Sequence, residues 1–275
     1  MKVDVAVIPA AGRATRLYPV TRSVPKALLP VVDRPAIQWV IEEGMRAGVG
    51  EFVVVVNRGV DDLLFSHFEG MEGLEALAGF EGVSLEWVVQ EQPLGLGHAV
   101  LQARDAVGDR PFYCMLGDNL VEPGTDQLGF LAAASDGRSV VCMRELGDEG
   151  LDRYGVAVTG EWLNDRLVEL AGAVEKPGAE RAPSRLGFVG RYVFTPEVFD
   201  RLAGLEPGYG GEIQLTDAIG GLAESGRCLG FVADTDLLDV GTPATYLEAV
   251  TTLGLGHQEI GAGYRSFLTG LLGAS

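Results

Sequence analysis

Short valine-rich runs alternate with helix-like segments through the first half of this 275-residue chain, and that alternation leaves few architectures open. Val3 to Ile8, Glu51 to Val56, Leu85 to Val89 and Phe112 to Leu116 are the strand-like runs. They are nearly continuous in apolar residues, as strands buried on both faces must be; a strand with one wet face would alternate. Between them, Pro35 to Ala47, Asp61 to Phe68 and Gly97 to Val107 carry helical patterning. Strand, helix, strand in that order specifies right-handed crossovers, hence an α/β fold with a Rossmann-like, mostly parallel mixed sheet flanked by helices. Ligands in such folds lie outside the carboxyl ends of the strands, so the loops 9–30, 90–97 and 117–120 are expected to share one edge.

From Ser139 onward the pattern changes to strand pairs, Ser139 to Arg144, Gly155 to Val158, Leu167 to Glu175 and Phe188 to Phe194, separated by Gly, Asp and Asn turns. This predicts an antiparallel extension for a second substrate. Helical patterns at Gln214 to Glu224 and Pro243 to Thr252 flank a strand near Cys228 to Ala233, and Glu259 to Leu272 reads as a weakly amphipathic helix that packs on the body or on a partner subunit. The expected organisation is one domain over 1–255, in two parts of about 1–137 and 138–255, followed by a helical tail over 256–275.

With 39 acidic against 21 basic residues the formal net charge is −18, which argues against a nucleic-acid partner. Any phosphorylated ligand must be met by a few local cations. No apolar stretch reaches the roughly 18 residues of a membrane span, and the N-terminus enters a strand with no basic segment ahead of it, so a soluble, cytoplasmic protein is expected, with no membrane partner. Cys114, Cys142 and Cys228 lie scattered in apolar runs without Cys-x-x-Cys spacing, which indicates neither zinc nor a disulfide framework.

The chemistry-bearing residues cluster at strand ends. After the first strand, Ala10, Ala11 and Gly12 are small enough for main-chain N–H groups to face phosphate oxygens, and Arg16 and Lys26 add the charge a triphosphate needs. A dinucleotide fingerprint fails here, because Ala14 and Leu17 stand where its second and third glycines belong; a Walker loop fails for want of Gly-Lys-Ser/Thr. Leu116-Gly117-Asp118-Asn119 and Leu238-Asp239-Val240-Gly241-Thr242 each end an apolar run with a carboxylate. Two such carboxylates with phosphate oxygens make a hard site suited to magnesium (Mg2+), although helix N-capping competes as the reading of Asp239. Gln90, five residues before Gly95, can donate and accept at a pyrimidine edge, and Gly95 lets a backbone come close. His98 reads as a packing or capping residue. Glu175 and Lys176 are adjacent on a strand and would point to opposite faces, but Pro177 ends the strand and permits a twist.

Taken in order, these segments resemble the sugar-1-phosphate nucleotidylyltransferases, in which Gly-x-Gly-Thr-Arg is followed about ten residues on by Pro-Lys. The resemblance runs from residue 5 to about residue 245, and it implies a nucleotide-binding half over about 1–137 and a sugar-binding part over about 138–255. Gly-Leu-Gly-His-Ala at 95–99, Glu175-Lys176-Pro177, Val189-Gly190-Arg191-Tyr192-Val193 and Gly211-Glu212-Ile213-Gln214-Leu215-Thr216-Asp217 are most similar to the branch that uses UTP and glucose 1-phosphate. The resemblance implies transfer of a uridylyl group from UTP to glucose 1-phosphate by magnesium-assisted in-line attack, giving UDP-glucose and pyrophosphate without a covalent enzyme intermediate. It assigns Lys26 to the bridge between sugar phosphate and α-phosphate, Arg16 to the departing pyrophosphate, and Ala10, Ala11, Gly12, Gln90 and Gly95 to the nucleotide. Gly155, Glu175 and Lys176 would meet the sugar phosphate, Asp118 and Asp239 the metal, and the family's habit implies a homo-oligomer, dimer or tetramer. Glu212 is left between sugar binding and capping. Ala14 departs from the family's usual glycine, which implies a stiffer loop. The two acidic loops look more like those of the thymidylyl branch, making dTTP the alternative nucleotide. A non-catalytic nucleotide-sugar sensor and a dinucleotide-dependent oxidoreductase are the readings from other classes.

Overall fold

In the computed structural model, which describes residues 1–12, 14–58, 61–68, 82–234 and 237–273, the apolar runs are strands of one sheet. In chain order the strands are β1 (Val5–Pro9), the short pair β2 (Pro30–Val31) and β3 (Arg34–Pro35), β4 (Glu51–Asn57), β5 (Ser84–Gln90), β6 (Phe112–Met115) and β7 (Asn119–Leu120). They continue with β8 (Ser139–Glu145), β9 (Gly155–Trp162), β10 (Leu167–Glu175), β11 (Leu186–Phe194), β12 (Cys228–Val232) and β13 (Leu238–Asp239). Nine of them form the main sheet in the order β5-β4-β1-β6-β11-β8-β12-β10-β9. β5, β4, β1 and β6 are parallel, with Val7 opposite both Val53 and Cys114.

Burial on both faces follows from the alternation of side chains along a strand. In β1, Ala6 and Ile8 face one apolar core and Val5 and Val7 the other. The first core is completed by Ile37, Val40 and Ile41 of the helix Ala36–Arg46 and by Leu253 of the helix Pro243–Gly256. The second is completed by Val100 of the helix Leu96–Gln102, Phe199 of Glu197–Ala203 and Ile219 of Leu215–Glu224.

The second half continues the same sheet. β11 inserts between β6 and β8, antiparallel to both, while β8 and β12 pair in parallel. From Gly187 to Phe194 every residue of β11 is buried, so it needs a neighbour on each edge and helices or strands over both faces. The extension over β10 and β9 is antiparallel, and β9 returns to touch β11 at Gly187 and Val156. The helix expected over Gly97 to Val107 is instead two, Leu96–Gln102 and Arg104–Val107, because the chain tightens at Ala103, whose N–H bonds the carbonyl of Val100. The tail forms the helix Gly261–Gly273, seated on Pro243–Gly256 through Tyr264 and Thr251. Among the described residues, no helix is long and apolar enough to cross a membrane.

Candidate active site

Loops leaving β1, β5 and β6 converge at the carboxyl edge around a cavity of about 560 Å3. One wall is Ala10, Ala11, Gly12, Lys26 and Asp118; the other is Gln90, Gly95 and Glu212. The small-residue loop is tied down at both ends. Ala10 N–H donates to Val55 O at 2.7 Å, Asn57 donates its side-chain amide to Ala11 O, and Thr21 Oγ1 donates to Ala14 O at 2.8 Å. Ala14 lies in the left-handed region at φ 48°, ψ 40°, from which the chain enters the short turn Thr15–Leu17. Arg16 projects from that turn into solvent and lines neither this cavity nor its neighbour.

Lys26 opens the turn Lys26–Leu28 directly after Pro25, and its side chain is only 15% exposed. It borders both the first cavity and a second, of about 430 Å3, that adds Thr21, Arg22, Ser23 and Asn57 on the far side of the loop. Its ammonium is paired with the Asp118 carboxylate. Removal of that carboxylate from bulk water raises its pKa, but the charge and hydrogen bond of Lys26, with Arg16 further off, outweigh this and hold it below the usual value.

Asp239 reaches the same place from the opposite end of the sequence because β13 pairs with β7, Asp239 opposite Asn119, and Val240 N–H donates to Asp118 O at 2.9 Å. A methyl placed on Gly241 would lie 2.6 Å from Asp239 Oδ1 and 3.2 Å from Lys26 Nζ, so the groups meet over a bare backbone. Asp239 accepts from Gly241 N–H at 2.7 Å and from Arg153 at 3.2 Å. It does not cap the following helix: Thr242 does, in a reciprocal pair with Thr245. Two carboxylates of separate origin beside a loop of bare backbone are oxygen donors of the kind a hard divalent cation takes.

On the other wall Gln90 is 4% exposed, and its side-chain amide donates to Gly95 O at 3.1 Å and to His98 Nδ1 at 2.9 Å. Among the described residues no group donates to its oxygen, which remains an acceptor. Gly95 has φ 108°, and a methyl there would sit 2.7 Å from Glu212 Cβ. The close approach it permits is therefore that of the segment around Ile213, which bonds Leu94 O through its N–H and Gly97 N–H through its carbonyl. His98 acts as the brace of Gln90 and neither caps nor merely packs.

Gly155, Glu175 and Lys176 form a neighbouring cluster. Gly155 stands opposite Glu175 in the β9–β10 ladder, where any side chain would collide with Thr216, and Thr216 Oγ1 donates to Glu175 Oε2 at 2.6 Å. Lys176 takes φ 45°, which turns its ammonium back to Glu175 at 2.8 Å and places it 5.3 Å from the centre of the Tyr209 ring. The adjacent pair thus shares one side. None of the three lines the first cavity; the segment from Tyr209 through Glu212 to Thr216 links the cluster to it.

Sequence reading named Thr216 and Arg191 only within longer runs and gave neither a role, and it missed Arg153, Tyr209 and the brace role of His98. Arg191 left a legible signal, a lone charge in a strand otherwise apolar; it is fully buried against Glu43.

A model of the nucleotidyl transferase family matches residues 5–254. The chain is 35% identical over 273 residues to UTP-glucose-1-phosphate uridylyltransferase 2 of Staphylococcus saprophyticus, covering 92% of this chain and 93% of that protein. A UDP-glucose pyrophosphorylase solved with UDP-glucose superposes with a TM-score of 0.84 at 32% identity, over 93% of this chain and all of that one. A UTP-bound enzyme of the same kind from Acinetobacter baumannii gives 0.82 at 32% identity, over 97% and 99%. With the family model matching residues 5–254 and a relative of this identity aligned over more than nine-tenths of both chains, the chain belongs to the nucleotidyl transferase family.

Proposed function

We propose that this enzyme transfers the uridylyl group of UTP to the phosphate of glucose 1-phosphate, releasing pyrophosphate and forming UDP-glucose. The single observation that carries the reading is the position of Lys26, held by Pro25 between two adjoining cavities and against Asp118. An ammonium fixed there meets the α-phosphoryl oxygens, where negative charge accumulates during in-line attack. An oxygen of the sugar phosphate forms the new bond to the α-phosphorus as the bond to the pyrophosphate oxygen breaks, and the electron pair leaves with pyrophosphate. The attacking phosphate is already anionic at neutral pH, so no general base is required, which agrees with His98 being occupied elsewhere.

Ala10, Ala11 and Gly12 offer a bare backbone to the triphosphate, and Arg16, extended into solvent, would fold in to meet the pyrophosphate. Gln90 keeps its oxygen for the N3–H of a uracil ring while its amide protons are spent within the loop, a pattern that accepts uracil or thymine and rejects cytosine. Glu175 would accept bonds from the sugar hydroxyls and Lys176 would meet the sugar phosphate. Asp118 and Asp239 would hold magnesium, which when bound neutralises phosphate charge and polarises the phosphoryl group.

The test is pyrophosphate release by the purified protein with magnesium, glucose 1-phosphate and either UTP or dTTP. Faster release with UTP supports the uridylyl reading and preference for dTTP replaces it with the thymidylyl one. Binding of both substrates without release by either would make the chain a sensor.

A further inference from the structure

Beneath the floor of the site, Arg191 of β11 and Glu43 of the helix Ala36–Arg46 form an ion pair 148 residues apart in sequence, with side chains 0% and 4% exposed. Nε donates to Glu43 at 3.0 Å, and Nη2 donates to Glu43 at 2.7 Å and to Asn119 O at 2.6 Å. Nη1 donates to Leu116 O at 3.2 Å and to Gly190 O at 2.9 Å. All five N–H bonds of the guanidinium are therefore used. Two of the acceptors, the carbonyls of Leu116 and Asn119, bracket Gly117 and Asp118.

We infer that Arg191 and Glu43 are positioning residues, a buried strut that sets the Asp118 turn against Lys26. The inference rests on the nucleotidyl-transfer reading of those two groups. At Met115, which pairs with Arg191, β6 ends and the chain turns away. Arg191 takes the Asn119 carbonyl and shares that of Leu116 with the Asn119 N–H at 3.3 Å, so it ties both ends of the turn. The β11–β8 register shifts between Phe188 and Tyr192, and Gly190, at φ 80°, has no room for a side chain beside Asn119, so the strand is shaped to bring the guanidinium under the turn. Glu43 supplies the other anchor. Its helix starts with Ala36 N–H bonded to Leu29 O, immediately after the turn that carries Lys26. One rigid pair thus spans the segments bearing both groups and adds no net charge beneath the site. Stability alone does not account for it, since a buried ion pair can be replaced by apolar residues of similar volume at little cost.

The experiment uses the full chain carrying Arg191→Met with Glu43→Met, which leaves no charge buried alone, and separately Arg191→Lys, which keeps the pair but cannot span both carbonyls. In the double variant kcat is expected to fall at least about tenfold and the magnesium concentration for half-maximal rate to rise several-fold, while KM for glucose 1-phosphate stays within about twofold. Amide exchange at Gly117 to Asn119 in the free protein is expected to quicken by about tenfold or more, with Arg191→Lys between the two. A folded double variant with the parent kcat and magnesium requirement overturns the inference. If the double variant does not fold, the same readings on Arg191→Lys decide. Should the parent protein release no pyrophosphate, the nucleotidyl-transfer reading falls, and exchange at Gly117 to Asn119 still decides whether the pair positions the turn.

Discussion

Ala14 sits at φ 48°, where a side chain crowds the following carbonyl at a cost of roughly 1–2 kcal/mol, yet Thr21 bonds its carbonyl and holds it there. Glycine removes the crowding but loses more freedom on folding, by roughly 0.5–1 kcal/mol. Ala14→Gly is therefore expected to stabilise the protein by about 0.5–1 kcal/mol, raising Tm by about 2 °C in a thermal melt; a lower Tm would mean that the loop relaxes in solution. That an alanine replaces a usual glycine was legible in the sequence, whereas its left-handed backbone was not, because a residue name does not report φ. Lys26 poses the opposite case, legible between its two prolines. Lys26→Ala is expected to cost on the order of 3 kcal/mol in the transition state, about a hundredfold in kcat/KM, as for loss of a preorganised electrostatic donor. A variant within a few-fold of the parent would take Lys26 out of the reaction.

The loop between β5 and the helix Leu96–Gln102 is an element whose parts were readable singly and whose assembly was not. Gln90 and His98 are eight residues apart, and only the turn through Gly95 brings them to 2.9 Å. Burial lowers the His98 pKa from 6.5, so the ring is neutral at pH 7 and Nδ1 accepts from Gln90. For a histidine with a depressed folded pKa, the neutral form is fully favoured above the unfolded value, and its contribution is lost as pH falls below 6.5 toward the folded value. A protonated ring would turn an N–H against the Gln90 amide and free the glutamine. KM for the nucleotide is accordingly expected to rise as pH falls below 6.5, beyond the nucleotide's own titration. His98→Asn, whose oxygen accepts without titrating, should flatten the excess; an identical profile in both proteins would clear His98 of the effect. Asp239 teaches the same lesson, since its place beside Asp118 depends on a two-residue ladder between β7 and β13 that no local pattern announces.

At the scale of the molecule, alternation of apolar runs was enough to make β1, β4, β5 and β6 parallel strands joined by right-handed crossovers, but not to put β4 and β6 on opposite sides of β1. It could not place β11, whose neighbours β6 and β8 are both earlier in the chain and whose insertion depends on burial along two edges. That insertion joins the residues before and after 137 in shared cores. Val140, Val193 and Leu229 share a core with Ile8, Val54 and Ile41, and Met143, Phe199 and Leu215 share the other with Val7, Val55 and Phe112. Among the described residues, each of the two cores draws its side chains from both halves. Thermal unfolding of the whole chain is therefore expected to be a single transition, coincident by far-UV and near-UV circular dichroism. The fragment 1–137 expressed alone would leave the open edge of β6 and both apolar faces of β1 partly bare, and the turn at Asp118 would lose Arg191 and β13 together. It is expected to show no dispersed amide spectrum and no cooperative melt. A fragment that melts cooperatively would show that the parallel half carries its own core and that β11 is an addition to it.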